Sequence, residues 1–167
     1  QWAERAQFAN DEIGRLNEEA AMKQLVARWG EDSLIVTRAR VQAERDAYAA
    51  VESYEKLPDG RIQTTFRFRK GALDGPEKTM HPVGTVTPGT GGAVWGMQFI
   101  WPIQAEYVIT YVDADYQQTI VGRSKRDYVW LMARTPRISD ADYEARIRQI
   151  QALGYDVSKI RRVPHAP

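Results

Sequence analysis

The stretch RDYVWLMARTPRISDADYEARIRQIQALGYDVSKI, from Arg126 to Ile160, constrains the fold more than any other part of the chain. It reads as a strand, a Thr135-Pro136 break, one amphipathic helix with start and stop signals, and a short extended return. Everything before it from about Ser33 reads as short strands, so the single late helix has to cover a sheet already built. The helix is predicted over 139–153. Ser139 is placed to cap it, with Asp142 three residues on as a short-armed version of a capping-box acid. Gly154 is placed to take the left-handed conformation after the last turn. Tyr143, Ile147, Ile150 and Leu153 line one face and require an apolar partner surface. The predicted strand 127–134 supplies one, with Val129, Leu131 and Ala133 on the face opposite Tyr128, Trp130 and Met132. Both of its faces are apolar, as expected of a strand with a cavity on one side and a helix on the other.

The clearest alternation upstream is Arg61 to Arg69. Ile62, Thr64, Phe66 and Phe68 take one face, and Arg61, Gln63, Thr65, Arg67 and Arg69 the other, as in an antiparallel sheet with one wet side. Leu57-Pro58-Asp59-Gly60 precedes it as a turn, so 47–57 and 61–69 are predicted to pair as a hairpin. Further strands are predicted at 33–41, 77–87, 93–100, 104–112, 117–122 and 127–134, with turn chemistry at each break. Eight antiparallel strands joined to nearest neighbours close into an up-and-down barrel, whose interior can hold one small ligand. Residues 1–30 differ: Trp2, Phe8, Ile13, Leu16, Leu25, Val26 and Trp29 recur at helical spacing among polar residues. The expected organisation is therefore an N-terminal helical segment over 1–30 and a β-barrel with its helix over 31–167.

A chain of 167 residues can build one domain with a real core. A net charge of +1 argues against a nucleic-acid binder driven by bulk charge. The lack of cysteine removes disulfides, thiolate metal sites and cysteine nucleophiles together. No apolar run approaches the roughly 20 residues that a membrane-spanning helix needs. The chain opens on Gln1 rather than Met, which reads as a processed or trimmed product.

Five stretches carry a family resemblance: TTFRFRKG, DGPEKT, AVWGMQFIWPI, YVDADYQQTIVGRSKRDYVWLMARTPRISDADY and GYDVSKIRRVP. From about Ala47 to the C-terminus the chain resembles the bacterial outer-membrane lipocalins. Lipocalins carry three short signatures at the closed end of the barrel. The second resembles Asp113-Ala114-Asp115-Tyr116, and the third resembles Arg134 at the end of strand 127–134. The first, G-x-W at the start of the first strand, falls on Glu31-Asp32-Ser33, so Ser33 stands where the family has the Trp that its Arg covers. Trp29-Gly30 lies just upstream. The resemblance implies a carrier rather than an enzyme, in a periplasmic or outer-membrane-associated setting, although this chain shows neither a signal nor the anchoring Cys of the family.

Residues able to do chemistry are few. His81 and His165 each stand beside a Pro, without the spacing of a metal site. Ser124 lacks a nucleophile-elbow context, and Ser139 is explained by capping. Gly89, Gly91 and Gly92 read as a turn rather than a phosphate loop. Asp113 and Asp115 read as structural turn residues. No catalytic residue, metal or cofactor is expected.

The aromatics are more telling. Phe66 and Phe68 share a strand face, as do Trp95, Met97 and Phe99, then Tyr107, Ile109 and Tyr111, then Tyr128, Trp130 and Met132. They form either a packed core or the wall of a cavity for an apolar ligand, and the resemblance implies the second. Arg40, Lys70, Trp101, Arg123, Lys125 and Arg126 fall on loops at the expected open end. Basic residues around an apolar mouth suit an anionic lipid such as a fatty acid or lysophospholipid, although Glu44, Asp46, Asp74 and Asp127 lie among them as in ordinary solvated charge. The alternative is a structural or interaction protein with a filled barrel, in which residues 1–30 bind a protein or membrane partner. A homodimer fits either reading.

Overall fold

The computed structural model describes residues 46–100 and 103–166. The expected helical segment 1–30 and the expected first strand 33–41 lie outside the described residues. Among those described, eight strands precede one α-helix: β1 (Ala47–Lys56), β2 (Ile62–Lys70), β3 (Glu77–Met80), β4 (Val83–Val86), β5 (Val94–Ile100), β6 (Ile103–Val112), β7 (Gln118–Gly122), β8 (Val129–Ala133) and α1 (Asp140–Ala152). They form one sheet in the order β1-β2-β4-β5-β6-β7-β8, with β3 pairing β2 off that path. This is the expected mainly-β, up-and-down order with a single C-terminal helix. The count of eight is made up differently, however. The expected strand 77–87 is two strands, interrupted at His81-Pro82. Pro82 has no N–H to give a ladder, but its carbonyl accepts from Thr64 N at 2.9 Å, so the chain stays tied to β2 across the break.

The described residues cluster into two compact units, one of 46–85, 97–100, 103–105 and 162–166, the other of Val86–Gly96 and Glu106–Arg161. In the first, β1 and β2 form the expected hairpin, closed by Gly60 at φ 85° with Gly60 N donating to Leu57 O at 2.9 Å. Asp59 braces the turn by accepting from Arg61 N at 3.0 Å and Arg61 Nε at 2.7 Å. These bonds hold its carboxyl below its ordinary pKa. The ladder slips between Tyr48 and Val51. There Ala49 takes φ 46°, and its N–H donates to Pro164 O at 2.8 Å instead of to β2.

In the second unit β6, β7 and β8 lie side by side and antiparallel, with α1 against one face. Ile120 and Ile150, 0% and 1% exposed, form the centre of that contact with Tyr155. Val129, Leu131, Ile147 and Leu153 pack around them, as the alternation in β8 and the stripe on α1 require. Burying each such aliphatic side chain contributes roughly 1.5–3 kcal/mol. Ala133, expected on the same face, is exposed.

Both helix ends follow from the sequence. Ser139 Oγ accepts from Asp142 N at 3.0 Å. The Asp142 carboxylate is too short to reach back to the backbone and accepts from the Ser139 hydroxyl instead, at 2.7 Å. At the other end Gly154 takes φ 91°. Gly154 N donates to Gln151 O at 2.9 Å and Tyr155 N to Ile150 O at 3.4 Å, the paired bonds of a Schellman motif.

Candidate functional site

The register of β6, β7 and β8 decides which side chains share a surface. Ile109 pairs with Val121 and Val121 with Trp130, so this row points to one side of the ladder. Val108, Gly122 and Val129 form the next row and belong to the other side, where Val129 packs against the Ile120–Ile150 cluster at α1. On the side away from α1 the aromatic rings meet. The Tyr107 and Trp130 rings lie 4.9 Å apart at 31°, and those of Tyr128 and Trp130 lie 5.8 Å apart at 15°. Tyr107 is buried, while Ile109, Tyr128, Trp130 and Met132 are half-buried. Arg123 closes one end of this surface, its guanidinium 5.4 Å from the Tyr128 ring centroid and 3.4 Å from Asp127 Oδ2.

Tyr111 is not part of this surface, contrary to the unbroken alternation expected from 107 to 111. The ladder slips between Ile109 and Tyr111, and Tyr111 pairs with Ile120 on the helix side. Its ring lies 4.3 Å from the Arg146 guanidinium of α1 and packs against the Ile120–Ile150–Tyr155 cluster. The extra residue of a β-bulge shifts the phase by one, which turns everything after it to the opposite face.

Trp95, also in this unit, is half-buried and donates from Nε1 to Gly92 O at 2.8 Å, in the turn before β5. In the other unit Phe66 and Phe68 stack at 5.0 Å, with Phe68 3% exposed. Met97 is fully buried and Phe99 half-buried. Glu52 pairs with Phe66, and Tyr54 with Thr64, so a carboxylate and a phenol share the ladder face of these phenylalanines. Period two counted back through the 57–60 turn would have revealed both.

The expected basic rim divides. Lys70 and Lys125 are exposed, and Arg123 is at the aromatic surface as described. Arg126 takes φ 56°, and its Nε donates to Leu153 O at 2.8 Å, which ties its charge to the C-terminal end of α1. Arg40 and Trp101 lie outside the described residues.

At the opposite end of this unit the two signature segments meet. Asp113 Oδ1 accepts from Gln117 N at 2.7 Å and Gln118 N at 2.8 Å, which makes it a turn-forming carboxylate. Arg134 Nε donates to Tyr116 O at 2.7 Å and Arg134 N to Gln117 O at 3.0 Å. Ser33 and Trp29 lie outside the described residues. His81 stands exposed in the β3–β4 break with Nδ1 3.3 Å from Thr65 Oγ1. Among the described residues no group of three or more His, Cys, Asp and Glu could hold a metal ion, and no helix is long and apolar enough to cross a membrane.

The groups behind Arg123 carry no local signal in the sequence. Glu106 is buried, and its carboxylate accepts from Ser124 N at 2.9 Å and from Ser124 Oγ. The Tyr155 hydroxyl donates to Arg123 O at 2.9 Å and accepts from Arg123 N at 3.0 Å. Burial pushes this hydroxyl above its ordinary pKa. Gly122 makes the approach possible, because a Cβ there would collide with the Tyr155 hydroxyl.

A family profile described as "Lipocalin-like domain" matches residues 27–165. The chain belongs to the lipocalin-like family. Family membership suggests a binding protein for small hydrophobic ligands, since lipocalin-like proteins are generally binding and transport proteins rather than enzymes. Temperature-induced lipocalin-1 of Arabidopsis thaliana is 24% identical over 156 residues, which cover 87% of this chain and 79% of that protein. The outer membrane lipoprotein Blc of Escherichia coli K12 is 33% identical over 63 residues, covering 38% of this chain and 36% of Blc. Among solved structures, lobster apocrustacyanin A1 shares the lipocalin fold, with a TM-score of 0.55 at 10% identity over 72% of this chain and 68% of that one.

Proposed function

We propose that this lipocalin-like protein carries an amphiphilic lipid of the fatty-acid or lysophospholipid type, whose apolar part lies on the Tyr107–Tyr128–Trp130–Met132 surface and whose anionic head meets Arg123. The observation that carries this reading is the half-buried aromatic surface ending in a guanidinium. Apolar side chains that a folded chain leaves partly open, beside one polar anchor, are what a small-ligand site requires. In the same unit Trp95 and Ile109 are proposed as further apolar wall and Lys125 as supporting charge; in the other unit, taken by itself, Phe66, Phe68 and Phe99 are proposed as apolar wall and Lys70 as charge, with the fully buried Met97 as the core behind them. Tyr111 and Arg126 are left out of the proposed site. No bond is made or broken. The sequence similarity to Blc, an outer membrane lipoprotein, supports a periplasmic or outer-membrane-associated setting.

Titration with palmitic acid, following tryptophan emission, tests the reading. Saturable quenching or a blue shift is expected, with a large loss of response when Trp130 is replaced by Phe. An unchanged spectrum throughout the palmitic acid titration would instead favour a filled interior and an interaction role centred on residues 1–30. The burial of Phe68 and Met97 is the observation that keeps this second reading in play.

A further inference from the structure

We propose that Tyr155, which stands on the helix side of the β6–β8 ladder, is a positioning residue for head-group recognition on the opposite side. The inference rests on the reading of the aromatic surface as a ligand site. Arg123 follows directly after β7, where a backbone ordinarily loosens. Here it is fixed. The Tyr155 hydroxyl bridges both polar atoms of the Arg123 backbone, donating to O at 2.9 Å and accepting from N at 3.0 Å. Glu106 holds the next residue through Ser124 N at 2.9 Å and the Ser124 hydroxyl. Two consecutive peptide units are thus tied from behind by a buried phenol and a buried carboxylate.

Alternation then sets the direction of the arginine. Gly122 faces Tyr155, so Arg123 projects away from it. Its guanidinium lies 5.4 Å from the Tyr128 ring centroid and 3.4 Å from Asp127 Oδ2. A guanidinium has five N–H donors in a fixed fork, so contact with Asp127 does not preclude a second carboxylate or a phosphate. Recognition groups work best when the residues behind them lock their geometry. Tyr155 also packs in the Ile120–Ile150 cluster, so the same side chain links the seating of α1 to the pose of Arg123.

The test is Tyr155→Phe, which keeps the ring and removes both bonds. Two readouts separate positioning from general loosening. The first is the NMR shift of the Arg123 guanidinium, whose carbon lies 5.4 Å from the Tyr128 ring centroid. It is expected to move toward the value of an unstructured arginine in Tyr155→Phe, in protein that keeps its circular dichroism spectrum. The second is the ratio of affinities for palmitic acid and cetyl alcohol, which differ at the head alone. The acid preference is expected to fall about fivefold, a part of the roughly tenfold or more that one charge-assisted contact is worth, with the alcohol affinity unchanged. Arg123 shifts that stay in place would overturn the proposal, as would equal weakening of acid and alcohol. Should the wild-type protein itself not prefer the acid, the head-group reading of the site fails, while the Arg123 shifts still decide whether Tyr155 holds that side chain. If Tyr155→Phe does not fold, Ser124→Ala, which removes the hydroxyl bond to Glu106, is measured in the same way and is expected to move both readouts in the same direction, less far.

Discussion

Gly122 and Tyr155 are one feature seen from two residues. The glycine has no side chain to place in front of the tyrosine hydroxyl, and the hydroxyl uses the space to reach the Arg123 backbone. Gly122→Ala should therefore destabilise the fold by about 1–3 kcal/mol, the usual cost of forcing extra atoms into a packed site. The denaturant midpoint would show it. Combining it with Tyr155→Phe should cost less than the sum of the two changes, because the hydroxyl that the new methyl meets is gone. A second consequence concerns pH. Burial raises the Tyr155 hydroxyl pKa above 10.0 in the folded state. Above that pH the unfolded chain releases this proton while the folded chain retains it, so the stability contributed by Tyr155 is complete below about pH 10 and is lost as pH rises through the folded value. Urea midpoints between about pH 8 and pH 11 should converge for the wild type and Tyr155→Phe at the alkaline end. Taking the difference between the two proteins removes what they have in common.

Among the elements, α1 was the most legible. Its cap, its stop and its apolar stripe are all local, encoded within a few residues of where they act. Ser139→Ala should cost about 1 kcal/mol through the lost bond from Asp142 N. Gly154→Ala should cost about 1–2 kcal/mol, since an L-residue at φ 91° is strained and its Cβ would also press on the Arg126 side chain. Thermal unfolding checks both. What the sequence hid lies in the same unit but is not local. The bulge after Ile109 adds a residue opposite Ile120 with no glycine to mark it, and it moves Tyr111 from the aromatic surface to the helix. Arg126 reads as one more basic residue in RSKRD. Only its left-handed backbone and a partner 27 positions away reveal that it belongs to the end of α1. The sequence of strand 77–87 shows no break at His81-Pro82 because the residues on either side still alternate.

At the scale of the whole molecule, the order of elements is legible because the links are short and, β3 and β4 apart, strands consecutive in the chain pair with each other, which leaves few topologies open. The function is less legible, because the same apolar residues build a core and a ligand wall, and what distinguishes them is the exposure that remains after folding. Tyr128, Trp130 and Met132 keep some, whereas Met97 keeps none. A carrier with an apolar wall makes a quantitative demand that a filled barrel does not. Each methylene moved from water onto such a wall is worth about 0.8 kcal/mol, so affinity should rise about fourfold per added CH₂. A ligand that binds the folded chain alone also raises its unfolding temperature in step with that affinity. Saturated fatty acids of increasing length, at one free concentration below micelle formation, should therefore raise the unfolding temperature progressively until the tail outgrows the wall. Trp130→Ala should flatten the series, since it removes the ring that stacks on Tyr128 and lies tilted against Tyr107. A response set by the carboxylate alone, equal for short and long acids, would mean that the aromatic surface is packing rather than a site.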